Sequence, residues 1–471
     1  MTKNQRNAHG KAICTLYDRP VSTQQLTGEI GTRSTGGTVH TPEPPPGPTA
    51  PGLAQTLSWM YRPIPFIERC RSRYGPIFSL GLGPQKNAIV IADAGLAKAV
   101  MTGNPDVFRA GDANGIVRPV VGPSSLLVLD GDQHRRHRRI MLPAFGARHG
   151  SAFAEQVREI AAARIAGWSA GQTLRLQDEM EAISFEAILR VVFGDHNERR
   201  ERFRELVPEM MRRCASPFTL LPYFRKELGG ITPYARLRRV LDQLDELFYA
   251  EIADRRAEGP QPDGGVLSLL VSATDEEGDP LPDEQVRDEL LTLIMAGYET
   301  TTSALAWSFE RLLRTPAVLD RLLRERDGTY LDAVVKESLR IRPVVPVVAR
   351  KIREPVQLGH HVAPEGSVLM VSVYLLHSDP ELYPDPEEFR PERFLGDEPD
   401  GSVWVPFGGG TRRCLGARFA EVEMKVVLRT VFERVRLSAP DSKNEPVARR
   451  RFTFAPGRGS RAVVDEVRGG G

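Results

Sequence analysis

Phe407-Gly408-Gly409-Gly410-Thr411-Arg412-Arg413-Cys414-Leu415-Gly416 is the stretch whose reading decides what this chain folds into. Its glycines let backbone amides approach the Cys414 sulfur, and amides aimed at sulfur favour the thiolate over the thiol. Phe407 is placed to shield one side from water. From Leu415 onward, Gly416-Ala417-Arg418-Phe419-Ala420-Glu421-Val422-Glu423-Met424 has helical character, so the positive end of a helix would lie beside the sulfur. A thiolate held this way, with no second cysteine or histidine nearby, suits a single strong axial ligand of a haem iron. A buried structural cysteine in a glycine-rich turn is the plainer reading of the same residues.

Around that loop lies a chain of 471 residues, 41% hydrophobic and 26% charged, the composition of a soluble globular protein with a substantial core. A net charge of +2 carries no general nucleic-acid signature. Cys14, Cys70, Cys214 and Cys414 are far apart and form no C-x-x-C pair. That spacing argues against zinc, covalently attached haem or a disulfide framework, and for a cytoplasmic setting. No apolar run is long enough for a membrane anchor. Residues 1–52 are expected to be a flexible polar and proline-rich arm, and 53–471 one domain. Within it the patterning predicts a helix over Leu53 to Tyr74, strands over Ile77 to Leu82 and Ala88 to Ile91, and a helical majority thereafter. A β-like region follows, with Val368 to Leu376 as a strand. The fold class is mainly α with small β-sheets.

The longest helical pattern runs from Asp283 to Arg314, bracketed by Pro282 and Pro316, and would span roughly 45–48 Å. Its middle, Ala296-Gly297-Tyr298-Glu299-Thr300-Thr301-Thr302, is poor helix material, costing about 2 kcal/mol against alanine. A Thr300 hydroxyl returned to the Ala296 carbonyl would widen the helix into a groove able to hold dioxygen and water. His134 and Arg138 are four apart, hence on one helical face. Arg135, Arg136 and Arg139 point elsewhere and, with Arg413 and Arg418, form either a docking patch for an acidic electron donor or a solvated basic surface. No aromatic platform accompanies them, so nucleic acid is not expected.

The spacing Phe-x-x-Gly-x-Arg-x-Cys-x-Gly over Phe407 to Gly416 resembles the haem-binding loop of the cytochrome P450 family, in its soluble bacterial form. Ala296-Gly297-x-Glu299-Thr300, Glu337-x-x-Arg340, Pro391-Glu392-Arg393-Phe394 and His134-x-x-x-Arg138 resemble further motifs of that family. The resemblance implies a triangular helical prism with small peripheral sheets and a long central helix over the haem. It implies haem b with Cys414 as axial ligand of the iron beside Phe407, and His134, Arg138, Arg350 and Arg412 on the propionates. Glu299 and Thr300 take the positions of an acid and an alcohol that relay protons to bound dioxygen. Glu337, Arg340 and Arg393 take those of a buried scaffold.

The activity so implied is a monooxygenase that hydroxylates or epoxidises a lipophilic small molecule of secondary metabolism, terpenoid, polyketide, steroid or fatty-acid-like. Electrons would come from an external ferredoxin or flavodoxin with its reductase, and no membrane anchor is needed. Family position makes 105–128, 205–232, Val345 to Val348 and Phe452 to Phe454 the pocket wall. Two rivals stay open, a haem-thiolate peroxygenase or isomerase and a non-catalytic haem-binding sensor.

Overall fold

Asp283–Arg314 is one unbroken 32-residue helix, and it divides the hydrophobic interior. Its first half, through Leu290, Leu291, Ile294 and Tyr298, belongs to one buried cluster, and its second half, through Ala304, Leu305, Phe309 and Leu312, to another. The polar stretch from Ala296 to Ser303 falls at the seam, buried except at Ala296, Gly297 and Thr300. Leu176–Phe193 crosses it closely. A Cβ on Gly297 would come 2.7 Å from Ile188 Cδ1 of that neighbour, so the glycine also serves close packing.

The computed structural model describes residues 43–468 except 84, 147–149, 195–198, 216–218, 220–224, 226–230, 260, 262–263, 275–277, 326 and 397–400. Residues 1–42 of the expected arm and part of the 205–232 pocket segment therefore lie outside the described residues. No helix among the described residues is long and apolar enough to cross a membrane.

Helices dominate, and the sheets are peripheral. β1 (Ile77–Leu82), β2 (Gln85–Ile91), β3 (Phe108–Arg109), β5 (Val347–Ile352) and β8 (Val368–Ser372) form one sheet in the order β1-β2-β8-β5-β3. β4 (Thr173–Arg175), β9 (Val435–Ser438) and β12 (Arg461–Val467) form a second, while β6 (Val356–Leu358) with β7 (His361–Ala363), and β10 (Val447–Arg450) with β11 (Thr453–Pro456), are hairpins.

Three sequence expectations are corrected. Leu53 to Tyr74 is two helices, Gly52–Tyr61 and Pro63–Tyr74, because Pro63 supplies no N–H to continue the first and starts the second. The run from Val368 to Leu376 is a strand only to Ser372; the Ser372 hydroxyl accepts from the Leu375 N–H and turns Val373–His377 into a helix. The proline-rich lead-in is docked rather than free over residues 43–48. The Ser79 N–H of β1 donates to the Pro46 carbonyl at 2.8 Å, the Ser79 hydroxyl to the Pro45 carbonyl at 2.7 Å, and the Val362 N–H to the Glu43 carbonyl at 3.3 Å.

Candidate active site

Gly408 and Gly410 adopt φ of 66° and 64°, which turns the cysteine loop sharply onto the helix Ala94–Thr102. A Cβ on Gly410 would sit 2.2 Å from the Met101 carbonyl oxygen, so the loop can take no side chain there. The Cys414 N–H closes the loop by donating to the Phe407 carbonyl at 2.9 Å, and the Phe407 ring packs edge-on to Trp404 with centroids 6.2 Å apart. The following helix starts at Ala417, two residues beyond the expected Leu415, with Gly416 as its cap.

Cys414 keeps accessible surface, yet protein packs densely enough around it to push the thiol up. The Gly416 N–H and the Arg138 and Arg413 guanidiniums pull the other way. Surface combined with dense surroundings is what a residue bordering an interior hollow, rather than bulk solvent, would have. The central helix shows the same signature. Ala296 is exposed and Gly297 and Thr300 are partly so, in a helix buried almost throughout. The Thr300 hydroxyl donates to the Ala296 carbonyl at 2.8 Å, the return bond expected from sequence.

Glu299 faces another way. It is 3% exposed, and its Oε1 accepts from the Thr453 hydroxyl at 3.0 Å and the Phe452 N–H at 3.4 Å, both in the β10–β11 hairpin. Its Oε2 is buried without a hydrogen-bond partner among the described residues. Burial pushes the Glu299 carboxyl up to about 7 against the pull of Arg451, Thr453, Phe452 and Arg450.

The four residues expected on the propionates gather beside the cysteine loop, three of them arginines. His134 and Arg138 lie on the helix Gly131–Met141, Arg350 on β5 opposite Leu369, and Arg412 in the loop itself. Arg412 donates to the carbonyls of Leu126 and Leu129 and, at 2.6 Å, to Asp130. Burial lowers Arg412 to about 10 in spite of Asp130, and lowers Arg350 to about 10 with Arg412 as a further cause. His134 falls to about 3 through burial first, then through Arg412, Arg138, His137 and Arg350. Cations that depress one another in a desolvated place make a donor set short of anions. A planar group carrying two carboxylates, bound above a cysteine, fits it.

Glu337 and Arg340, fully buried, form a bidentate pair at 2.6 and 2.8 Å, and Arg393 Nε lies 3.5 Å from Glu337. Arg340 also donates to the carbonyls of His377, Pro386 and Glu388. Sequence reasoning missed what joins this cluster to the cysteine loop. His377 Nε2 accepts the Val405 N–H at 3.0 Å, two residues before Phe407. It also missed Asp130, which holds Arg412 while accepting from the Gly111 and Asp112 N–H groups at 2.8 Å. Nothing in local sequence marks His377; Asp130, just before a helical pattern, reads only as a cap.

Known proteins were compared with this chain. The sequence model described as Cytochrome P450 matches residues 44–460. "Putative cytochrome P450 135B1" of Mycobacterium tuberculosis is 39% identical over 441 residues, covering 90% of this chain and 92% of the relative. "Putative cytochrome P450 138" of the same species is 35% identical over 428 residues, covering 89% and 96%. Among solved structures, the retinoic acid-bound cyanobacterial CYP120A1 superposes with a TM-score of 0.80 at 26% identity, covering 90% of this chain and 99% of that one. The cytochrome P450DA heme domain gives 0.76 at 25% identity, covering 91% and 98%. Matched from the docked prolines to the last sheet, the chain belongs to the cytochrome P450 family, and haem b is its cofactor.

Proposed function

We propose that Cys414 is the axial ligand of the haem iron and that the protein inserts one atom of dioxygen into a lipophilic small molecule. The observation that carries this reading is the pairing of a thiol that keeps surface amid dense surroundings with an anion-deficient cluster of His134, Arg138, Arg350 and Arg412 beside it. Bound haem would supply the iron at which dioxygen is activated. The chain does the rest. The cationic cluster binds and orients the propionates, and Phe407 flanks the ligand loop. The Thr300 hydroxyl, partly exposed on the central helix and donating to the Ala296 carbonyl at 2.8 Å, keeps oxygen lone pairs that can accept a hydrogen bond, and it can donate one to another group by giving up that return bond.

Glu299, its carboxyl pushed up to about 7, is divided between acid and carboxylate near neutral pH and can both take up and give up a proton there. Exposed Arg135, Arg139, Arg413 and Arg418 lie on or next to the elements that carry the thiolate, which favours docking of an acidic ferredoxin or flavodoxin there, in a cytoplasmic setting. The apolar wall includes Phe452 and Phe454, and the retinoic acid in one structural neighbour agrees with a lipophilic substrate class, one that takes in terpenoids, polyketides, steroids and fatty acids.

The test is spectroscopic. The reduced protein with carbon monoxide should show the red-shifted Soret band of thiolate ligation, and Cys414→Ser should abolish it. A histidine-type band, or a spectrum unchanged by the substitution, overturns the assignment. Product formed with dioxygen and a ferredoxin system, and not only with peroxide, separates the monooxygenase from a peroxygenase.

A further inference from the structure

The β10–β11 hairpin is the feature no motif accounts for. Arg450 and Thr453 pair across it, leaving Arg451 and Phe452 as a two-residue turn. Such turns demand positive φ and normally recruit Gly, Asn or Asp. Here Arg451 takes φ of 53°, in a conformation that long side chains avoid. Its side chain explains the choice. Arg451 turns inward, donating to the Tyr298 hydroxyl at 3.3 Å and lying 3.6 Å from Glu181. The next residue turns its N–H onto Glu299, and Thr453 brings its hydroxyl to the same carboxyl oxygen. The turn therefore meets two acids, Glu181 through its arginines and the buried Glu299 through Phe452 and Thr453.

Thr453 has one hydroxyl hydrogen and three oxygens around it: Glu299 Oε1 at 3.0 Å, the Arg450 carbonyl at 3.1 Å and Ser303 Oγ at 3.3 Å. When Glu299 is ionised, the hydrogen points to the carboxylate. When Glu299 is protonated on Oε1, the acid O–H can donate to Thr453 Oγ1 while the Thr453 hydrogen swings to the Arg450 carbonyl. Oε1 thus keeps its hydrogen bond to Thr453 in both states without the carboxyl moving, while Oε2 has no partner among the described residues. We propose that Thr453 is a positioning residue for Glu299, a hydroxyl switch that lets the buried acid gain and lose a proton in place. This deepens the proton-relay reading of Glu299 and rests on it only for its catalytic consequence.

The charged and titratable groups around the acid are Arg450 and Arg451 from the hairpin, Tyr298 on its own helix, Glu181 from Leu176–Phe193, and Cys214 from Arg200–Cys214. Arg451 and Arg450 favour the ionised form, and burial opposes it. Removing the Thr453 hydroxyl takes a donor from the carboxylate and an acceptor from the protonated acid; the hydrogen bond to the charged form is the stronger of the two, so the carboxyl should bind its proton more tightly.

The experiment is a pH titration of the Glu299 carboxyl by infrared difference spectroscopy on the ferric, substrate-free holoenzyme, with Glu299→Gln assigning the band. Thr453→Val should raise the titration midpoint by about one pH unit, the order expected for one hydrogen bond to a carboxylate. Thr453→Ser should restore the original midpoint. Thr453→Ala carries the same expectation as the valine should that variant fail to fold. A midpoint unmoved by the valine or alanine, or a serine variant that follows them, overturns the proposal. Should Glu299→Gln still couple reductant to product fully, the relay reading fails while the infrared result on Thr453 stands.

Discussion

Two buried arginine clusters flank the cysteine loop, and they are built on opposite principles. Arg340 itself is fully answered: Glu337 takes its charge in bidentate fashion, and three backbone carbonyls take the rest, with Arg393 beside the same carboxylate at 3.5 Å. Around His134, Arg138, Arg350 and Arg412 the cations crowd one another, and Arg350 and Arg412 both lean on Asp130. A saturated cluster is finished as folded, so its contribution goes to the scaffold. A cation-rich one is complete only when something anionic arrives, and so it marks a binding site. Burial alone does not distinguish the two; the balance of charge does.

Breaking the saturated cluster should produce the largest effect. Glu337→Gln leaves two buried guanidiniums without their carboxylate and should cost about 3–5 kcal/mol, with folding and haem retention lost together. Far-UV circular dichroism and the pyridine haemochrome assay check this, and a stable, haem-loaded variant would undo the contrast. Arg350→Met should be milder and selective. It removes a cation that has too little compensation, so the haem-free protein should melt no earlier than the original, while haem is released faster to an acceptor globin. An earlier melting point with unchanged haem release would show that Arg350 belongs to the scaffold.

The smallest effect sharpens the comparison through pH. Each cluster carries a histidine held at about 3, His134 in the cradle and His377 in the scaffold. Both lie below the unfolded value of about 6.5, so the unfolded chain binds more protons and stability falls as pH drops through 6.5 toward 3. Propionates beside His134 would raise its folded pKa and reduce its share of that loss, whereas His377 keeps its share. The urea midpoint of the haem-free protein should therefore fall more steeply between about pH 7 and 5 than that of the haem-loaded protein. His134→Gln should narrow the gap. Equal slopes would remove the distinction between the clusters.

How far the sequence could be read follows from the same division. The cysteine loop, the weak turn at Ala296 to Thr302 and the His134–Arg138 pair are local patterns whose chemistry shows in their spacing. The long central helix was legible because prolines mark both ends. The break at Pro63 was misread because apolar spacing continues across it, and the turn at Ser372 because the valines around it hide one capping hydroxyl. The partners of Asp130, His377 and Thr453 were not legible. Each acts on a partner far along the chain, and only the fold brings His377 to Val405 or Thr453 to Glu299.

The docked prolines have a consequence of their own. β1 is an outer strand of its sheet, with backbone groups that another molecule's strand could pair with. Pro45 and Pro46 meet Ser79 there with acceptors only, since proline has no N–H to extend the ladder further. The segment thus closes the rim against edge-to-edge aggregation, and any shortened or fused amino terminus has to leave that closure in place.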